Sequence, residues 1–267
     1  MPHHAPGYAP AVQPVSETTI HTGVEGLSAD VIRYPVSDGD LPAYYAMPFG
    51  RERCPTVLVV QEIFGIHEYI RDVCRRLARR GYLAIAPELY ARQGDVLRMN
   101  DRQEIMSQVV SRVPDAQVLA DLDAAADYAA RSGWGDPARL GLTGFCWGGR
   151  VAWLYAAHGT GLKAAVAWYG RLEGAADDLR PRHPLDIAGR LNCPVLGLYG
   201  GRDESIPLSS IERMRAAVRE TGKNAEIVLY PEAGHGFHAD YRPGYNRNAA
   251  EDGWRRMLDW LKSYGVA

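Results

Sequence analysis

Three residues of this chain have the types needed for acyl transfer, and they occur in a workable order: Cys146, then Asp203, then His235. A thiol attacks a carbonyl only after losing its proton, so Cys146 needs a base within hydrogen-bond reach. His235 can take that proton and return it later. Asp203 would fix the imidazole tautomer and stabilise the imidazolium. His238 is the rival base, but His235 follows a strand, a turn and a glycine directly and is the better placed. His67 and His158 read as helix-surface or helix-end residues, and neither makes a metal-ligand spacing with the cysteines.

The elements around these residues must bring them together. Leu140 to Phe145 has strand character, and Arg150 to Ala157 reads as a buried helix. Between them the chain turns through Gly144-Phe145-Cys146-Trp147-Gly148. Glycines two before and two after the cysteine allow a bend that a Cβ would obstruct. The thiol would then stand at the positive end of the following helix.

The same alternation runs along the chain. Strand-like runs at Asp30–Val36 and Leu41–Pro48 flank the turn signal Ser37–Asp40. Pro55–Val60 is continuously apolar, as a doubly buried central strand should be, and ends in Gln61-Glu62-Ile63-Phe64-Gly65. A helix from His67 to Arg80, a strand at Tyr82–Ala86 and two helices between Asp101 and Ser132 precede the cysteine turn. Strands at Leu162–Tyr169, Pro194–Tyr199 and Ala225–Tyr230 follow it, with helices at Ser209–Glu220 and about Asn248–Tyr264. This predicts an α/β fold with a mostly parallel, doubly wound sheet and helices on both faces. Its site lies beyond the carboxyl ends of the strands, where Cys146, Asp203 and His235 all fall. Residues 1–24 lack periodicity and form an N-terminal extension, flexible or packed as an arm, and residues 25–267 form one domain.

Composition narrows the class. The 267 residues are 46% hydrophobic, enough for one substantial core, and 30 Lys and Arg nearly balance 32 Asp and Glu. No basic block points to nucleic acid or an anionic membrane, and no apolar run approaches the ~20 residues needed to cross a bilayer. The N-terminus has no signal-peptide pattern. The four cysteines form no CxxC pair, which suits a soluble protein of a reducing cytoplasm.

Five blocks in order, Gln61–Gly65, Pro87–Gln93, Gly144–Gly149, Gly201–Asp203 and Glu232–Phe237, carry a family resemblance. From about residue 26 onward the chain resembles the dienelactone hydrolase (carboxymethylenebutenolidase) family. The resemblance implies the α/β-hydrolase fold and a Cys146–His235–Asp203 triad, with no metal or cofactor. It also implies that Glu62 sits beside the thiol and takes part in its substrate-triggered activation. Burial raises a carboxyl pKa, so Glu62 is expected to be able to accept that proton. The oxyanion hole is expected from the backbone N–H groups of Ile63 and Trp147.

The match thins at the substrate end. The family holds a carboxylated enol-lactone with arginines, one of them four residues after the catalytic histidine, where this chain has Ala239. Arg102 and Arg242 are the candidates to replace it, the default for each being a surface arginine facing water. Phe64 and Tyr90 are expected to line the substrate pocket together with Trp147. The expected partner is a small-molecule ester or lactone, and the protein a monomer or homodimer. The alternatives are a general carboxylesterase or thioesterase for small neutral acyl groups, and a non-catalytic ligand-binding or thiol redox-sensing protein.

Overall fold

The computed structural model describes residues 7–12 and 14–267; the rest of the N-terminal extension lies outside the described residues. Eight strands form one sheet in the order β1-β2-β4-β3-β5-β6-β7-β8. β1 (Leu27–Val36) and β2 (Gly39–Pro48) make an antiparallel hairpin, joined through Ser37 and Asp38. β2 is antiparallel to β4 (Leu83–Pro87), and every later pairing is parallel. The chain thus has the α/β-hydrolase architecture, with helices packed around a mostly parallel sheet.

The centre of the sheet is β3 (Cys54–Val60), whose Val57 to Val60 are completely buried. β-branched residues suit a pleated strand covered on both faces, which explains its unbroken apolar run. After β3, α1 (Glu68–Ala78) buries Tyr69, Val73 and Leu77 at helical spacing and leads outward to β4. α2 (Arg102–Gln108) is short, and α3 (Asp115–Arg131) buries Val118, Leu122, Ala125 and Ala129. Leu119 and Ala126, on the flank of that stripe, are only partly buried.

β5 (Gly135–Phe145) begins five residues before its apolar core and pairs with β3 on one side and β6 (Leu162–Trp168) on the other. α4 (Trp147–His158) connects β5 to β6. β7 (Val195–Gly200), α5 (Leu208–Thr221), β8 (Ala225–Tyr230) and α6 (Arg247–Ser263) complete the chain. From β3 the chain leaves toward one edge, and from β5 toward the other. A crevice therefore opens beyond the carboxyl ends of β3 and β5, where such sheets place their sites. No helix among the described residues is long and apolar enough to cross a membrane.

The N-terminal segment packs against this body. The Val15 N–H donates to the Tyr241 carbonyl (2.8 Å), and Thr18 Oγ1 to the Asp240 carbonyl (2.5 Å). Further on, the Thr22 N–H donates to Asp72 Oδ1 on α1 (2.5 Å).

Candidate active site

Cys146 is held by the turn that the glycines permit. Its backbone has φ 56° and ψ −112°, a strained conformation for a residue with a side chain. The strain is fixed by close backbone packing. A Cβ on Gly144 would lie 2.1 Å from the Gly148 carbonyl oxygen, and one on Gly148 only 2.4 Å from that of Val60. The first turn of α4 thereby presses onto the end of β3, bringing Cys146 toward the segment that carries Glu62. The thiol is half-buried at the N-cap of α4.

Two later loops complete the group. Cys146 Sγ lies 3.2 Å from His235 Nε2, and His235 Nδ1 lies 2.6 Å from Asp203 Oδ2. Burial disfavours charge on the imidazole, but the hydrogen bonds to Asp203 and Cys146 outweigh it and push the His235 pKa up to about 10. The raised proton affinity suits His235 to take the thiol proton at Nε2 while Nδ1 faces Asp203. Asp203 is oriented in turn by Ser205, whose backbone N–H and hydroxyl both donate to Oδ1 (2.8 and 2.6 Å). Its spacing, two residues after an aspartate, is the Asx-turn pattern, a signal that the sequence carried.

Glu62 is fully buried just beyond β3. Tyr241 Oη donates to its Oε2 (2.8 Å), and His67 Nε2 stands 3.5 Å from the same oxygen. Burial alone would raise its pKa, as the sequence reading expects. The net direction is the opposite, because His67, Arg242 and Tyr241 together outweigh desolvation and lower it. His67 stands at a helix end, as the N-cap of α1, but is completely buried rather than on the helix surface.

Arg242 departs from the water-facing default. It is only partly exposed, its guanidinium lies 5.9 Å from the centre of the Phe64 ring, and Nη1 approaches Gly236 beside His235. Burial disfavours its charge, but Glu62 nearby outweighs this and raises its pKa. Among the described residues it makes no ion pair. Ala239 is completely buried, with no room for an arginine. Two successive turns, Ala239 N–H to Gly236 and Arg242 N–H to Ala239, carry the chain from there to Arg242.

The other expected residues divide. Trp147 opens α4, so its N–H is one of the unpaired donors of a helix start, and Ile63 follows Glu62 in a buried turn. Phe64 and Tyr90 are buried, Tyr90 packing on Trp147 with ring centres 4.9 Å apart. Arg102 is not brought to the site: it is exposed at the start of α2, where a helix end projects a long cation into water. His238 turns away from the thiol, bonds Tyr69 Oη through Nδ1 (2.6 Å) and stacks on Trp254, and burial lowers its pKa well below the usual range. His158 is exposed and pairs with Asp123. Tyr169, not singled out in the sequence as a site residue, directly follows β6 with φ 38° and sets its buried ring edge-on to His235. No cluster of three or more His, Cys, Asp or Glu among the described residues could hold a metal ion.

A family model described as the dienelactone hydrolase family matches residues 41–265. The chain belongs to this family. A Methylorubrum extorquens protein provisionally named a carboxymethylenebutenolidase is 59% identical over 98% of this chain and 91% of its own. A Salmonella typhimurium protein with the same provisional name is 57% identical, covering 98% and 97%. The crystal structure of a protein from Klebsiella pneumoniae, provisionally titled a dienelactone hydrolase, superposes with TM-score 0.87 at 57% identity, covering 89% of this chain and 99% of that one. Membership of the dienelactone hydrolase family makes the protein a hydrolase, in preference to a binding or sensing module.

Proposed function

We propose that this dienelactone hydrolase family member cleaves lactone or ester bonds through Cys146. The observation that carries the reading is the 3.2 Å approach of Cys146 Sγ to His235 Nε2, backed by Asp203. The thiol proton passes to His235, and the sulfur bonds to the substrate carbonyl carbon. The oxyanion is received by the N–H groups of Ile63 and Trp147. As the tetrahedral centre collapses the C–O bond breaks, and the leaving oxygen takes the proton from His235. Water then attacks the thioester, giving its proton to His235; the C–S bond breaks and the thiol is restored. Glu62 acts as a second proton acceptor beside the thiol. Arg242 favours a substrate that carries a carboxylate, because it is an unpaired cation beside the nucleophile.

Cys146→Ala is expected to lower kcat on an enol-lactone and on a neutral aryl ester by at least about 10³-fold. Iodoacetamide near neutral pH should label Cys146 ahead of Cys74 and Cys193, whose burial pushes their thiols up to about 12. Undiminished turnover in Cys146→Ala would refute the reading.

A further inference from the structure

The wall behind Glu62 contains an arrangement that hydrolysis by Cys146, His235 and Asp203 does not require. His67 is completely buried, and neither ring nitrogen has a hydrogen-bond partner among the described residues. Glu62 Oε1 is likewise buried without a partner, while Oε2 holds Tyr241 and faces His67 at 3.5 Å. Buried polar atoms without partners are costly, and they concentrate where a group must be free to exchange partners. The other groups whose charge Glu62 feels are Tyr69 on α1, Tyr90 after β4, Tyr169 after β6, and Tyr241 and Arg242 before α6. Of these neighbours, only His67 and Arg242 can present a cation.

The N-terminal segment closes the same wall. The Tyr8 ring stands edge-on to His67 (5.7 Å) and tilted against Tyr241 (5.2 Å), and Ala9 is completely buried. Val15 and Thr18 fasten the segment to the carbonyls of Tyr241 and Asp240. The segment therefore grips the stretch that supplies Glu62 with Tyr241 and Arg242, and it covers the histidine that supplies the remaining contact. Without that cover His67 would meet water, and its interaction with a buried carboxylate would weaken sharply.

We propose that His67 and Tyr8 are positioning residues for the reaction: His67 holds Glu62 in place, and Tyr8 of the N-terminal segment seals the pair from water. The inference rests on the proposed role of Glu62 beside Cys146.

The test compares His67→Leu, His67→Gln, Tyr8→Ala and Tyr8→Phe in the full chain, each checked for native circular dichroism and thermal unfolding. The readout is kcat and KM against pH on a carboxylated enol-lactone, with a neutral aryl ester alongside. In His67→Leu the acid limb of kcat/KM should move upward by about one pH unit or more, the direction expected when Glu62 loses the imidazole that faces it and helps to lower its pKa. His67→Gln, which keeps a donor, should recover part of kcat. Tyr8→Ala should move the limb the same way by less, and Tyr8→Phe should match the parent, since the Tyr8 hydroxyl is buried without a partner. A parental pH profile in folded His67→Leu overturns the role of His67, and one in Tyr8→Ala overturns the seal. Measured alongside, Cys146→Ala separates the two levels: if it alone abolishes turnover, only this inference falls, whereas retained turnover removes the nucleophile reading itself.

Discussion

Arg242 gives the sharpest test of the substrate class. Replacing it by Gln removes the cation and leaves a neutral amide donor on a shorter side chain. The guanidinium is partly exposed, so its attraction for a carboxylate about 4 Å away lies between the values for water and for a protein surface, roughly 1–4 kcal/mol. A hydrogen bond to a charged group is worth about 1.5–3 kcal/mol, which overlaps that range rather than adding to it. A net loss near 2–3 kcal/mol corresponds to about 30–150-fold in kcat/KM. Arg242 also helps to lower the pKa of Glu62, so the substitution will disturb the thiol's neighbour whatever the substrate. The informative quantity is therefore a ratio: kcat/KM for a carboxylated enol-lactone over that for a neutral aryl ester, parent against variant. Whatever part of the effect through Glu62 is common to both substrates divides out, and the loss that depends on the anion remains. The ratio should fall by about 30-fold or more, mostly through KM where the carboxylate is held equally in ground and transition states. A ratio unchanged within about twofold would refute the assignment of Arg242 to substrate charge and favour small neutral esters.

Two further outcomes follow from the same geometry. Gly148→Ala should destabilise the fold, because its Cβ would lie 2.4 Å from the Val60 carbonyl oxygen and 2.6 Å from that of Gln61; we expect about 1–3 kcal/mol by urea titration, the range for overpacking, and a fully stable variant would show that the elbow is not packed as described. His235 should contribute a pH-dependent share of stability: its folded pKa is raised to about 10, so the contribution is complete below its unfolded value near 6.5 and is lost as pH rises through about 10. The fall in melting temperature between pH 8 and 10.5 should thus be shallower in His235→Gln, and equal slopes would argue against the charged pair.

The meeting of Cys146, His235 and Asp203 was legible in sequence because each residue sits at a strand end next to glycines, and the register of a parallel sheet converts strand ends into one rim. The strand runs were legible for the same reason: β3 has no polar residue after Thr56 to blur its pattern. His67 was not legible. It stands directly before the acidic Glu68, at a helix start where polar residues are usually wetted, and what buries it arrives from far along the chain, in Tyr241 and Tyr8. Arg242 escaped because its neighbours Phe64 and Gly236 meet it only through tertiary folding. Local pattern carries the elements and their ends; it does not carry which side chain covers which.

That limit explains the direction reversed at Glu62. The sequence reading considers burial alone, which raises a carboxyl's proton affinity, whereas His67, Arg242 and Tyr241 supply enough compensation to lower it. On the proposed reading the two are successive states of one site. A substrate carboxylate that pairs with Arg242 withdraws that cation from Glu62 and adds a like charge nearby, and both effects raise the proton affinity of Glu62. The acceptor thus becomes more basic when an anion arrives and stays unreactive toward the thiol before it does. A neutral ester brings no such change, so the neutral substrate should depend less on Glu62. Glu62→Gln should therefore lower kcat for the carboxylated lactone more than for the aryl ester, by about tenfold for each pH unit of affinity that the anion induces. Equal losses on both substrates would mean that Glu62 serves the thiol without regard to substrate charge.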